Sequence, residues 1–479
     1  MREKLQFSQS HSKPNYYNYS RLTGFLILSC ACTLYLLVAL LLARSKLLDT
    51  SSSTQDHVYS PTSLEHIMFG IASTKNSWPK RKDYVKMWWK PGRMRGCVFL
   101  EEALPSEHHN LTNDAYLPPV CISEDTSRFR YTYRGGVRSA IRVARVVSEA
   151  VALNHSDVRW FVFGDDDTVF FPENLARTLS KYDHGLWYYI GTNSELFEAN
   201  RNFGFGMAFQ GAGFAISYPL AKVLAKVLDS CLERYPHLYG SDARIYSCLT
   251  ELGVGLTLEP GFHQMDIRGD VFGLLASHPV RPLVSLHHLE NTDPIFPNMT
   301  TLEALRHLFR ATNVDSQRLL QQTVCYDRWF SWTIVVSWGY AVQIFGNHVF
   351  LPDVLPVPET FKSWRQTGNL SGLYSLTTKQ IHPDPCRRPT IFFLEDVASA
   401  GSNGIKTTFR KSLVNCSYDS GSPRKLEAVR VFSHKMELDI KQLRAPRRQC
   451  CEVLPSSAGG VVDIAIRECK EEELIRMYP

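Results

Sequence analysis

Arg159-Trp160-Phe161-Val162-Phe163-Gly164-Asp165-Asp166-Asp167-Thr168-Val169-Phe170-Phe171 is an apolar run of strand length that delivers three consecutive carboxylates before apolar residues resume. Trp160 to Phe163 are all apolar, with no alternation. That is the pattern of a strand buried on both faces of an α/β sheet. Carboxylates crowded together repel one another and resist ionising. A hard divalent cation relieves that repulsion. Ligands gather at the carboxyl ends of strands in open α/β sheets, where Asp165, Asp166 and Asp167 fall. The stretch therefore predicts a metal-assisted site for an anionic substrate, against the plainer alternative of an acidic surface turn.

The flanking sequence supports a layered fold. His66 to Ala72 reads as a first buried strand, and Tyr84, Val85, Trp88 and Trp89 recur at helical spacing after Pro79. Cys97 to Leu100 is a second strand. This strand–helix–strand opening predicts a doubly wound nucleotide-binding α/β sheet. Further strands are expected at 186–191, 214–217, 256–258 and 283–287. Gly204, Gly206, Gly211 and Gly213 do not make a dinucleotide fingerprint, because Phe209 stands where its third glycine belongs. They permit either close approach of backbone to a substrate or tight turns. Asp242 falls in the first turn of a helix that Ser241 can cap, where the dipole alone favours an acid. His287-His288 ends a late strand, and either ring can complete a metal site with the acids.

The chain has 479 residues, 44% hydrophobic and 21% charged, with a formal net charge of +6. Half of that charge lies in the first 21 residues, where Arg2, Lys4, Lys13 and Arg21 oppose Glu3. The remainder is nearly balanced, so no nucleic-acid partner is expected. Leu22 to Ala43 carries no charge and is long enough to cross a bilayer once. It is too long for a cleaved signal peptide, and the basic residues before it favour a cytoplasmic N-terminus. Ten cysteines and five N-x-S/T sequons (Asn110, Asn154, Asn298, Asn369 and Asn415) all lie beyond the span. Both fit an oxidising lumen. The cysteine pairing cannot be read from the sequence.

The expected organisation is a tail (1–21), a transmembrane anchor (22–43), a stem (44–64), a catalytic α/β domain (65–292), a helical connection (293–324) and a smaller β-rich, disulfide-supported domain (325–479). Trp329, Trp332, Trp338 and Trp364 in or near that last domain are either core or sugar-stacking residues.

Several segments in order resemble a known family: the anchor, Trp160 to Val169, Gly211-Ala212-Gly213-Phe214, Asp242 and Leu286-His287-His288. They resemble the Fringe and core-1 β-1,3-galactosyltransferase branch of glycosyltransferase family 31. Cys325 to Trp332, Val336 to Tyr340 and Pro446 to Cys451 are similar to the plant Fringe-related group. The resemblance implies a GT-A-like fold, a UDP-sugar donor and a divalent metal, most often Mn2+. It implies Asp165 and Asp167 as metal ligands, with His287 completing the set and His288 the alternative. Asp166, Gly211 and Gly213 would lie on the donor, and Asp242 would be the base in a single inverting displacement. Relatives often carry two acids where this chain has Ser241-Asp242. The implied protein moves a hexose or N-acetylhexosamine to a glycan or glycoprotein acceptor, in a β-1,3-type linkage, from a type II position in the Golgi membrane. Homo-oligomerisation is left open. The alternatives are an anchored, inactive glycan-binding protein and a phosphatase of the D-x-D-x-V type with Asp165 as nucleophile.

Overall fold

The computed structural model describes residues 17–51, 60–104, 115–364, 370–401, 403–455 and 459–475. The chain divides into two units, residues 1–60 and 61–479. In the first, one helix runs from Tyr17 to Ser51, and its segment Gly24–Arg44 is long and apolar enough to cross a membrane. The helix continues past the apolar segment, so the first residues of the expected stem are helical.

The second unit begins with strands β1 (Ile67–Ala72), β2 (Arg95–Leu100), β3 (Val120–Ile122), β4 (Trp160–Asp165), β5 (Val169–Phe170), β6 (Tyr189–Gly191), β7 (Phe214–Ser217), β8 (Leu256–Leu258), β9 (Ile267–Gly269) and β10 (Ser285–Leu286). Seven of them form one sheet in the order β3-β2-β1-β4-β7-β6-β8. The acid-bearing strand β4 is its centre. Trp160 and Val162 join one apolar cluster, while Phe161 and Phe163 join the other. Both faces of β4 are therefore covered, which is why its sequence shows no alternation. Helix Ser139–Ala152 covers one face with Ile141, Ala144, Val147 and Val151, at helical spacing. Trp78, Trp88, Phe170 and Leu175 cover the other.

β1 to β4 run parallel, but β7 is antiparallel to both β4 and β6. The reason lies in the connection. β6 ends at the same edge as β4, and the helix Phe197–Phe203 and the glycine-bearing loop stay there, so β7 must start at that edge and run back. That reversal carries the loop 204–213 past the acids.

The β-rich part contains β11 (Gln322–Tyr326), β12 (Thr333–Ser337), β13 (Ala341–Phe345), the short β14 (Val357–Pro358), β15 (Phe361–Ser363) and β16 (Thr378–Lys379), then β17 (Thr390–Ala400), β18 (Gly404–Lys411), β19 (Ala428–His434), β20 (Cys450–Leu454) and β21 (Val461–Arg467). Eight of these form a second sheet, β11-β12-β13-β17-β18-β19-β21-β20. A disulfide between Cys325 and Cys451 ties β11 to β20, its two edge strands. The other pairs are Cys97–Cys121, Cys231–Cys248, Cys386–Cys416 and Cys450–Cys469. All ten cysteines beyond the apolar helix are thus bonded. Trp332 and Trp338 are buried in the same apolar cluster as Trp160 and Trp88, so one core runs from the first sheet into the second. Sequon residues Asn154 and Asn298 take left-handed backbone in exposed turns, and Asn415 is exposed. Asn110 and Asn369 lie outside the described residues.

Candidate functional site

The site is assembled by a short ribbon. β5 leaves the acids at once, and β10 pairs with it antiparallel, with Leu286 opposite Val169 and Ser285 opposite Phe170. The residue after Leu286 is therefore carried to the acids before Val169. His287 lies there, buried, with Nε2 3.2 Å from Asp167 Oδ1 and 4.0 Å from Asp165 Oδ2. One ligand atom from each of Asp165, Asp167 and His287 lies within 4.8 Å of the others. His287 Nδ1 donates to the Gln264 carbonyl oxygen at 3.2 Å, which directs Nε2 toward the acids. Two carboxylates and an oriented imidazole suit a divalent cation. The triad can hold a metal ion.

The charges of the site agree. Burial pushes the Asp165 carboxyl up to about 7, and neighbouring Asp167 adds to the rise. Burial opposes ionisation of Asp167 too, yet His287 and Arg81 overcome it and hold that carboxyl below the usual range. Burial alone would lower His287; Asp167 and Asp165 outweigh it and raise the imidazole to about 9. Without a cation, a proton on His287 thus does part of a cation's work.

Gly211 has a specific duty. A Cβ on it would fall 2.1 Å from His287 Cε1, so the ring lies directly against bare backbone. The loop is tied down by Thr168, whose hydroxyl donates to the Gly211 carbonyl at 2.8 Å and accepts from the Asp165 amide at 2.8 Å. Gly213 has a φ of +85° and packs against Phe170, a turn role away from the cluster.

Asp166 points elsewhere. It is buried, accepts a 2.6 Å hydrogen bond from Ser73 and pairs with Arg81 at 3.1 Å. Arg81 also reaches Asp167 at 3.2 Å and Glu290 at 2.7 Å. His288 turns away as well: its backbone is left-handed, its Nδ1 lies 3.4 Å from Asp266 Oδ1, and its ring stacks on Trp364 at 4.7 Å. The choice between the two histidines falls on His287.

Asp242 sits in the first turn of helix Ser241–Glu251 and accepts from the Gln210 amide at 3.0 Å. The Gln210 side chain donates to Asp165 at 3.1 Å, so one residue ties the Asp-Asp-His triad to Asp242. Burial pushes Asp242 up to about 6. Beside it opens a cavity of about 280 Å³, lined by Phe203, Phe209, Tyr239, Gln264, Asp266 and Trp364 among others.

Sequence reasoning missed Arg81, Ser73, Gln210 and Asp266. The signal for the first two is pairing: Ala72 of β1 stands opposite Asp165, so the residues after Ala72 flank the acids. That register is not written in the sequence.

The mouse xyloside xylosyltransferase 1 in its apo form is a structural match at 9% identity and TM-score 0.26, covering 40% of this chain and 84% of that one. No curated protein matches the sequence. The family model described as "Protein of unknown function, DUF604" matches residues 199–451, more than half of the chain and the part that holds Gln210, Gly211, Asp242 and His287. The chain belongs to the DUF604 family.

Proposed function

We propose that this chain is a metal-dependent glycosyltransferase with a GT-A-like catalytic part, acting on a UDP-sugar. The observation that carries the reading is the convergence of Asp165, Asp167 and His287 at the carboxyl end of the central strand, beside a cavity that Asp242 lines. Mn2+ is the proposed ion. When bound, the cation neutralises the charge that gathers on a departing nucleotide diphosphate. Asp165, Asp167 and His287 hold it. Gly211 keeps His287 in place, and Asp166 fixes Arg81 at the rim. Asp242 takes the proton of the acceptor hydroxyl as that oxygen attacks the anomeric carbon. A carboxyl held near 6 is basic enough for that and still ionised at neutral pH.

The apolar N-terminal helix, the basic residues before it and the five disulfides support a type II anchor with the catalytic part in the Golgi lumen. A glycan or glycoprotein acceptor and a β-1,3-type linkage complete the proposal. The test is a panel of UDP-sugars with and without Mn2+, using the full chain in detergent and reading UDP release. Manganese-dependent turnover of at least one sugar that Asp167→Ala abolishes is the expected result. Turnover that survives Asp167→Ala overturns the assignment. Saturable binding of a UDP-sugar without turnover favours the inactive glycan-binding reading, which the lone acid at Ser241-Asp242 motivates.

A further inference from the structure

The turn between β11 and β12 spends a buried carboxylate on holding an indole out in water. Asp327 is 4% exposed, and its Oδ2 accepts from the Trp329 amide at 3.1 Å and the Phe330 amide at 2.6 Å. The Asp327 amide closes the turn onto the Trp332 carbonyl at 2.9 Å. Phe330 is clamped by stacking on Trp332 at 4.5 Å, with Lys425 Nζ 3.7 Å above its ring. Trp332 in turn donates to the Gly421 carbonyl at 3.0 Å. Trp329, held by this fixed base, is 87% exposed. The turn fixes the Trp329 backbone, and its indole lies outside the apolar clusters.

Trp329 stands at the lip of a groove of about 610 Å³. The groove follows the seam where the edge strands β11 and β20 meet, and the disulfides Cys325–Cys451 and Cys450–Cys469 lie in its wall. Its lining carries three basic and four acidic side chains, and four of these seven are engaged with one another or with the turn. Arg467 is bound to Glu452 at 2.8 Å and to Glu473 at 2.7 Å, and Asp327 is committed to the turn. An exposed aromatic face on a fixed backbone, beside planar hydrogen-bonding side chains of nearly balanced charge, matches a pyranose chain: its C–H faces are apolar and its rim is hydroxyl.

We propose that the seam groove of the second sheet, with Trp329 as its stacking platform, is a carbohydrate-binding site for a neutral oligosaccharide. It is built from residues outside the metal triad and stands whether or not the chain transfers sugar. The ring of Trp329 packs on one residue of the glycan, and the groove takes the units that follow. The site would hold a polymeric glycan on the protein while one end is presented elsewhere, raising its local concentration.

The test uses the full chain in detergent, titrated calorimetrically with cellohexaose, xylohexaose and β-1,4-galactohexaose, and with hexagalacturonate as the charged control. Wild type is expected to bind at least one neutral hexasaccharide more tightly than hexagalacturonate. Trp329→Ala should weaken that binding about tenfold or more, since a stacked Trp at a contact centre carries a large share of the affinity. Trp329→Phe should keep it within a few-fold, and Asp167→Ala should bind as wild type. The two Trp329 variants should melt with wild type, because the indole is exposed and touches no core. Absence of binding to all neutral probes overturns the proposal. So does binding that Trp329→Ala leaves intact, that Asp167→Ala removes, or that belongs to hexagalacturonate alone.

Discussion

Gly211 and His287 meet face to face, and the site depends on that contact. Gly211→Ala would put a methyl 2.1 Å from His287 Cε1, so ring or loop must move. The expected outcome is a folded protein with Mn2+ affinity reduced about tenfold or more, comparable to the loss of an outer partner of a metal ligand. Calorimetric titration checks it, and wild-type affinity in that variant contradicts it. Protonation gives a second prediction. His287 is held at about 9, above its ordinary value, so below pH 9 a cation must displace a proton from it. Apparent Mn2+ affinity should therefore rise with pH, about tenfold per unit between 7 and 9, and flatten above. Stability without metal depends on pH in the opposite sense. The proton on His287 contributes in full below about 6.5 and is lost as pH rises through about 9. In the proposed reaction Asp242 is the base, and its carboxyl, pushed up to about 6, would have to be ionised; rates should then fall as pH drops through that value. At this scale the sequence was a partial guide. Asp165 and Asp167 stood out as acids, Asp242 was singled out only through the family resemblance, and Arg81 and Gln210 looked ordinary. Their importance comes from two pairings, β1 with β4 and β4 with β7, that no local pattern encodes.

Among the elements, the two-residue ribbon β5–β10 does the positioning. Of the strand expected at 283–287 only Ser285–Leu286 lies in the ladder, with the Phe171 amide also donating to the Val284 carbonyl at 2.8 Å. Leu286 is fully buried between the acids' strand and the core. Leu286→Ala should destabilise the chain by about 2–5 kcal/mol and loosen the anchor of His287. Urea unfolding together with Mn2+ titration checks both effects; a variant that loses stability but keeps full affinity would show that the ribbon does not position the ring. β4 was legible because burial on both faces leaves a continuous apolar signal. β5 was not, because two residues carry no period, and β10 was expected within 283–287 but longer than its two paired residues.

The molecule as a whole couples a mixed α/β sheet to a second, β-rich sheet through one shared apolar core. The compositional change after Cys325 was visible in the sequence, as were the apolar helix and the even cysteine count. Which cysteines pair was not, since connectivity depends on how the second sheet brings β11 and β20 together. That bond spans a sequence separation of 126 residues. Replacing Cys325 and Cys451 together by Ala should cost about 4–5 kcal/mol through the loop it closes, read as a lower unfolding midpoint. An unchanged midpoint would mean the edges are held by packing alone. The central claim concerns the acids at the tip of β4, and direct titration of the metal-free full chain with Mn2+ tests it. One saturable site per chain is expected, abolished separately by Asp165→Ala, Asp167→Ala and His287→Ala; no saturable binding, or binding that survives all three substitutions, would overturn the assignment.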